Sequence, residues 1–193
     1  PTYHLASTVD DIDYGVTIIA RGEDILSSTP KHILIMKALK SELPEFCHLP
    51  LLFGPDGKKL SKRHGDTSVE AFRDKGMLQE AMFNYLCLLG WSPGNDLEKF
   101  DSELAVEKFD LHNVLPNSAI FDEKKLLWLN GLYIRSTIDE DFEKTAINQI
   151  EKDLNRPLFT EELSRLTKIL PSVQERIETV SYTHLRAHET LSY

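Results

Sequence analysis

Leu49-Pro50-Leu51-Leu52-Phe53-Gly54-Pro55-Asp56-Gly57-Lys58-Lys59-Leu60-Ser61-Lys62-Arg63 passes from a short apolar run, through a Gly/Pro turn, into a cationic cluster. Lys58, Lys59, Lys62 and Arg63 put four positive charges within six residues of a chain whose net charge is -9. A strand opening into such a loop suits a polyphosphate. The backbone can move to close over the ligand, and ammonium groups neutralise oxygens whose charge grows during displacement. As an isolated pentamer, Lys59-Leu60-Ser61-Lys62-Arg63 reads as a solvated basic loop. Its neighbourhood has to decide.

Upstream, residues 2–9 are β-rich and close at Asp10-Asp11, which predicts a strand and turn. Thr17-Ile18-Ile19-Ala20 predicts a second strand ending at Arg21-Gly22. Ser28-Thr29-Pro30 opens a helix, with a hydroxyl cap and a proline where the missing N–H costs little. Ile33, Met36 and Leu39, with Ile35 nearby, supply its apolar face until Pro44 forbids continuation. Residues 49–53 form a third strand. Strand, helix, strand and phosphate loop make an α/β reading, with the ligand at the carboxyl ends of the strands.

From Thr67 onward the pattern turns helical. Met77, Leu78, Ala81, Met82, Tyr85, Leu86 and Leu89 recur at helical spacing, with Gly90 as the stop. Ser92-Pro93-Gly94-Asn95 is a loop, residues 104–109 are a short helix, and Asp122 caps another carrying Leu126, Leu127 and Leu129 before Asn130-Gly131. Asp139 caps a longer helix through Phe142, Ala146, Ile147, Ile150 and Leu154, and a last one runs through Leu163, Leu166 and Leu170. These stripes are core faces, and Trp91 and Trp128 are packing anchors.

The 193 residues, 41% hydrophobic and 27% charged, fit one large or two small globular domains. No run approaches the ~20 apolar residues of a membrane span. Pro1-Thr2-Tyr3-His4 has no charged-then-apolar leader and reads as a chain cut open in mid-strand. Cys47 and Cys87 lack metal-ligand spacing and are expected as buried thiols of a reducing cytoplasm. A pI near 5.3 argues against bulk nucleic-acid binding, although one local basic surface is enough to hold RNA.

The stretch from His48 to Gly65 closely resembles the signature loop of class I aminoacyl-tRNA synthetases, in its glutamyl-tRNA synthetase form. Further ordered pieces extend the resemblance from Pro1 to about Arg135: Pro1-Thr2-Tyr3-His4-Leu5-Ala6, Val9-Asp10-Asp11, Arg21-Gly22-Glu23-Asp24, Ser28-Thr29-Pro30, Asn84-Tyr85-Leu86, Leu89-Gly90-Trp91-Ser92 and Leu126-Leu127-Trp128-Leu129-Asn130-Gly131. The resemblance implies the C-terminal part of a Rossmann-like catalytic domain over 1–66, a stem-contact domain over 67–138 and the start of a helical anticodon-binding domain over 139–179.

It also implies ATP-dependent ligation of glutamate to its tRNA through a glutamyl-adenylate, with Mg2+ accompanying the ATP, in the cytoplasm; the sequence does not give the oligomeric state, and a monomer is favoured. Lys59 and Lys62 take the catalytic role at the pyrophosphate, with Ser61 and Arg63 supporting the loop. Leu52 lies where the backbone meets the adenine, and Asp24 near the ATP. Arg21 matches an arginine that forks onto the substrate carboxylate, and Tyr3 a tyrosine of the same pocket. By pattern alone Arg21 is a surface residue at a strand end and Tyr3 a half-buried strand aromatic. Ser7 stands where some relatives carry an asparagine near the glutamate.

The companion His-Ile-Gly-His type tetrapeptide is absent from this sequence, so the chain alone is expected to be inactive. The histidines have no metal-ligand constellation and no zinc is expected. The nearest rivals are glutaminyl-tRNA and glutamyl-queuosine tRNA synthetases. A small-molecule nucleotidyltransferase and an inactive RNA-binding fragment stand outside those branches. Residues 180–193 have no apolar period, resemble the translation of a transposase sequencing adapter, and are expected to pack on nothing. A genuine tail and a His184/His188 metal pair at i,i+4 are the other readings.

Overall fold

The computed structural model describes residues 2–61, 63, 65 and 68–180. Lys62, His64 and the tail from Ser181 onward lie outside them. The chain opens on helix α1 (Tyr3–Asp13), which corrects the expected strand over residues 2–9 and the expected mid-strand start. Packing explains the difference. α1 lies against the later helix Thr29–Ala38 and buries Thr8 completely, and the Thr8 hydroxyl, donating to the His4 carbonyl at 2.7 Å, is thereby satisfied without water. The helix runs past Asp10-Asp11 and stops at Gly15, whose φ of 64° is the left-handed conformation glycine adopts without a Cβ clash.

β1 (Ile18–Gly22) leads through a 3-10 turn (Glu23–Ser28) into α2 (Thr29–Ala38) and then β2 (Glu45–Leu49). β1 and β2 pair in parallel, with Ala20 opposite Cys47 and Arg21 opposite His48. A parallel pair needs a crossover of this kind. α2 buries His32 and Met36 against α1, while Leu39 is exposed. The helix ends well before Pro44, because Lys40 turns left-handed at φ 58° and the Ser41 N–H returns to the Met36 carbonyl. The single strand expected over residues 49–53 is divided. Pro50 has no N–H for the ladder, so β2 stops at Leu49, and β3 (Leu52–Phe53) joins β4 (Ala119–Ile120) in a separate parallel pair. Cys47 and Cys87 are free thiols, half-buried rather than buried.

The second layer is helical: α3 (Val69–Asp74), α4 (Gln79–Leu88), α5 (Ser102–Lys108), α6 (Glu123–Ser136), α7 (Asp139–Leu154) and α8 (Thr160–Gln174). α4 packs on α6 around Phe72, Met77, Tyr85, Leu126 and Leu129. Trp91, Phe100 and Ala105 make an adjoining cluster. Trp91 anchors packing as expected, whereas Trp128 is 41% exposed.

Gly90 is not the cap of α4. Leu89 holds that position, and the Gly90 carbonyl accepts the Leu115 N–H at 2.7 Å. Asp122 does cap α6, accepting from the Lys124 and Lys125 N–H groups. The helix nevertheless continues through Asn130-Gly131. Gly131 serves a close approach there, since a Cβ would lie 3.0 Å from Arg135 Nη1 and 3.5 Å from the Ile177 carbonyl oxygen. Ile138, not Asp139, is the N-cap residue of α7.

A third cluster gathers Ile134, Phe142, Ala146, Ile150, Leu166, Leu170, Val173, Ile177 and Val180. Val180 is buried, so the expectation that packing ceases at residue 180 is wrong for that residue. Two buried carboxamides brace this junction. Asn130 accepts from the Leu78 N–H and donates to the Glu178 carbonyl at 2.6 Å, and Gln174 donates to the Ile134 and Thr137 carbonyls. Each satisfies backbone groups that would otherwise be costly to bury.

Candidate active site

Parallel pairing puts Arg21 and His48 side by side at the carboxyl ends of β1 and β2. The crossover helix adds Thr29 and His32, and α1 adds Tyr3 and His4. Arg21 Nη2 donates to Thr29 Oγ1 at 2.8 Å, and its Nη1 lies 3.1 Å from His32 Nδ1. Thr29 Oγ1 is 2.9 Å from His48 Nε2, and His32 Nε2 is 2.9 Å from His4 Nδ1. The guanidinium also sits 5.6 Å from the Phe46 ring centroid, within cation–π range. Tyr3 is 60% exposed, with its ring 6.2 Å from that of His32. It reaches the cluster from a helix, not from the strand its sequence suggested.

Among the described residues, the buried side-chain polar atoms without a partner are Ser7 Oγ, Arg21 Nε and Asn84 Nδ2. Asn84 belongs to the helical layer. The other two fall on residues that the family resemblance sets near one substrate, Arg21 by its match and Ser7 by its position. Buried polar groups are nearly always satisfied, so two orphans here fit a polar ligand.

Asp24 and Lys59 form a second centre. Asp24 lies in the turn after β1, and that turn is tied to the strand linker by the Leu51 N–H donating to Glu23 Oε1 at 3.2 Å. The basic segment begins as a hairpin on β3. The Leu60 N–H donates to the Leu52 carbonyl at 2.7 Å, Gly54 N–H to the Lys58 carbonyl at 2.8 Å, and Gly57 turns at φ 71°. Lys59 Nζ then reaches Asp24 Oδ2 at 2.8 Å. Lys59 holds the Asp24 carboxyl below its ordinary value of 3.8. Both side chains are about half exposed, so this pair orients the ammonium more than it stabilises the fold.

Gly22 permits that geometry: an added Cβ would lie 2.6 Å from Asp24 Oδ1. Lys58, Lys59, Ser61 and Arg63 are all exposed. Lys62 lies outside the described residues. The half-buried Leu52 lines, with Pro50, Cys87 and Trp91, an apolar cavity of about 280 Å³.

Sequence reasoning missed Thr29, His32 and His48 as site components. Read singly they are a helix cap, a helix-face residue and a strand residue. The signal available was alternation, since Phe46 and His48 share the strand face whose register partner is Arg21. His112 stands apart, 3.6 Å from Glu45. Among the described residues no group of three metal-ligating side chains converges, and no helix is long and apolar enough to cross a membrane.

A parallel β-α-β unit with a polar cluster at its strand ends and a basic hairpin beside it is the architecture of class I tRNA synthetases. The chain belongs to that family: the catalytic-domain model of the class I tRNA synthetases for E and Q matches residues 1–128. Among its relatives, the glutamate–tRNA ligase of Carboxydothermus hydrogenoformans is 43% identical over 204 aligned residues, covering 100% of this chain and 40% of that protein. That of Aquifex aeolicus is 43% identical over 183, covering 94% of this chain and 38% of its own length. A crystal structure of a glutamate–tRNA ligase from Elizabethkingia meningosepticum, in complex with its amino acid, superposes with a TM-score of 0.84 at 30% identity, covering 97% of this chain and 40% of that one. The chain thus spans about two fifths of the length of the relatives it matches.

Proposed function

We propose that this chain supplies the amino-acid pocket and the phosphate-binding loop of an enzyme that ligates glutamate to its tRNA through a glutamyl-adenylate. The observation that carries this reading is Arg21, a guanidinium positioned at a strand end by Thr29 and His32, whose buried Nε has no partner among the described residues. A planar fork suits a carboxylate. Tyr3 and Ser7, on one helical face at i,i+4, border the same substrate.

Lys59, held by Asp24, sits on the basic hairpin, and Ser61, Lys62 and Arg63 follow it in the sequence. These residues receive the triphosphate and stabilise the charge that develops as pyrophosphate leaves. Mg2+ would arrive with the ATP and offset phosphate charge, and Asp24 is the carboxylate of this cluster that fits beside it. The backbone of Leu52 borders the adenine.

The stem-contact region is assigned to 67–138 and the start of the anticodon-binding region to 139–179. The separate hydrophobic cluster joining α7 and α8 to the end of α6 supports that division. The acceptor tRNA is the partner, in the cytoplasm. The 193 residues alone are inactive on this reading, because the sequence has no His-Ile-Gly-His type tetrapeptide to complete the nucleotide cleft.

The test is ATP–pyrophosphate exchange by the full-length enzyme carrying this chain, with tRNA charging followed by labelled glutamate. Exchange and charging that depend on glutamate and not on glutamine support the reading. Equal use of glutamine would move it to the glutaminyl branch, and exchange with neither amino acid would reject it.

A further inference from the structure

His32 is fully buried, yet it touches two polar side chains and no carboxylate. An arginine can only donate. Nδ1 of His32, 3.1 Å from Arg21 Nη1, must therefore be the acceptor. A neutral imidazole with an acceptor at Nδ1 carries its proton on Nε2, and that N–H donates to His4 Nδ1 at 2.9 Å. His4 in turn is left with its own proton on Nε2. The donor-only character of one guanidinium thus sets the direction of a relay running from Arg21 through His32 to His4. A charged His32 would present N–H to N–H and break it.

The surroundings agree. Burial first, then the charge of Arg21, and more weakly Lys31, hold the His32 pKa below its ordinary 6.5, with Asp11 pulling the other way; His4 would push it down further only if it were itself protonated. The Tyr3 ring is the remaining neighbour, tilted at 57° to the imidazole.

We propose that His32 is a positioning residue for amino-acid recognition: as the neutral Nε2–H tautomer it holds one arm of Arg21, Thr29 holds the other, and the guanidinium is thereby aimed at the substrate carboxylate. This rests on the assignment of Arg21 to glutamate made above. A guanidinium is already planar by delocalisation, and gripping both of its terminal nitrogens fixes the remaining side-chain torsions, so the N–H bonds it keeps for a ligand are set in direction before the ligand arrives. His4 completes the device by accepting the Nε2 proton, which removes the alternative tautomer. The side chains of His32 and His4 therefore act on glutamate affinity without touching glutamate.

Two measurements test it. The first uses the chain as it is, labelled with 15N at histidine. Long-range 1H–15N correlation at pH 7.5 should show His32 and His4 neutral with their protons on Nε2. A proton on Nδ1 of His32, or an imidazolium, overturns the proposal whatever the enzyme does.

The second is glutamate-dependent ATP–pyrophosphate exchange by the full-length enzyme. His32→Leu, which cannot accept from Arg21, should raise the glutamate KM about tenfold or more, the size expected for one bond to a charged group, with the ATP KM within twofold. His32→Asn puts a carboxamide oxygen near the place of Nδ1 and should recover most of that loss. His32→Gln, whose amide reaches only the Nε2 position, should not. An unchanged glutamate KM in His32→Leu, or His32→Asn no better than His32→Leu, overturns it. Wild-type exchange that ignores glutamate sinks the functional reading itself. A glutamate-dependent wild type with the wrong tautomer sinks only this inference.

Discussion

Arg21→Lys keeps the charge and removes the fork. In the structure the guanidinium is held by Thr29 at 2.8 Å and His32 at 3.1 Å, over the Phe46 ring. A lysine ammonium is a single point on a flexible stem. It can replace one of those contacts but cannot span both while also presenting two parallel N–H bonds to a carboxylate. A hydrogen bond to a charged group contributes about 1.5–3 kcal/mol, and about 1.4 kcal/mol is a factor of ten. Loss of one such bond therefore predicts a rise in the glutamate KM of roughly ten- to hundredfold. The assay is glutamate-dependent ATP–pyrophosphate exchange by the full-length enzyme, with ATP varied as the control. The ATP KM should stay within twofold, since the basic hairpin is untouched. A glutamate KM unchanged from wild type, in a variant of unchanged melting temperature, would refute the reasoning and leave Arg21 a strand-end residue.

Tyr85→Phe should destabilise the chain by about 1–3 kcal/mol, because the buried hydroxyl donates to the Asp122 carbonyl and accepts from its N–H at 3.0 and 2.7 Å. Urea unfolding reads it, and an unchanged midpoint would mean that water takes over both groups. Glu162 is held at about 2, first by Arg156 and then by the Phe159 N–H, against an ordinary 4.5. Its contribution is therefore complete above pH 4.5 and lost as pH falls through about 2. The stability gap between wild type and Glu162→Gln should shrink across that window, and a gap independent of pH contradicts the pairing. Gly22→Ala should push the Asp24 carboxylate off Lys59, since the new methyl would sit 2.6 Å from Oδ1. NMR should then find the Asp24 pKa nearer its ordinary value, and an unmoved pKa argues against the contact.

What the sequence showed well were features with a strong local cause. The β1 strand, the Ser28-Thr29-Pro30 helix start, the Asp122 cap and the spaced apolar residues of α4, α6, α7 and α8 all follow from propensity and period. The errors share one origin, which is that the deciding partner is distant. Thr8 is a β-former by composition and helical because α2 packs on α1. Gly131 looks like a stop and is an approach point for Arg135 and residue 177. Gly90 looks like a cap, but Leu89 holds that position, and the Gly90 carbonyl instead accepts from the distant Leu115 N–H.

The site was legible where a motif named it. Lys59 and Asp24 do meet, and Arg21 and Tyr3 do lie about His32. The grip on Arg21 was not legible. Thr29, His32 and His48 become neighbours only when the β1–β2 register and the crossover helix are in place.

The central claim is that the basic hairpin stabilises departing pyrophosphate during activation of glutamate. Exchange kinetics of Lys59→Ala and Lys62→Ala in the full-length enzyme test it most directly. The account predicts that each lowers the exchange rate by on the order of 10²-fold or more, with the glutamate KM within twofold of wild type. Rates within twofold of wild type for both variants would contradict it.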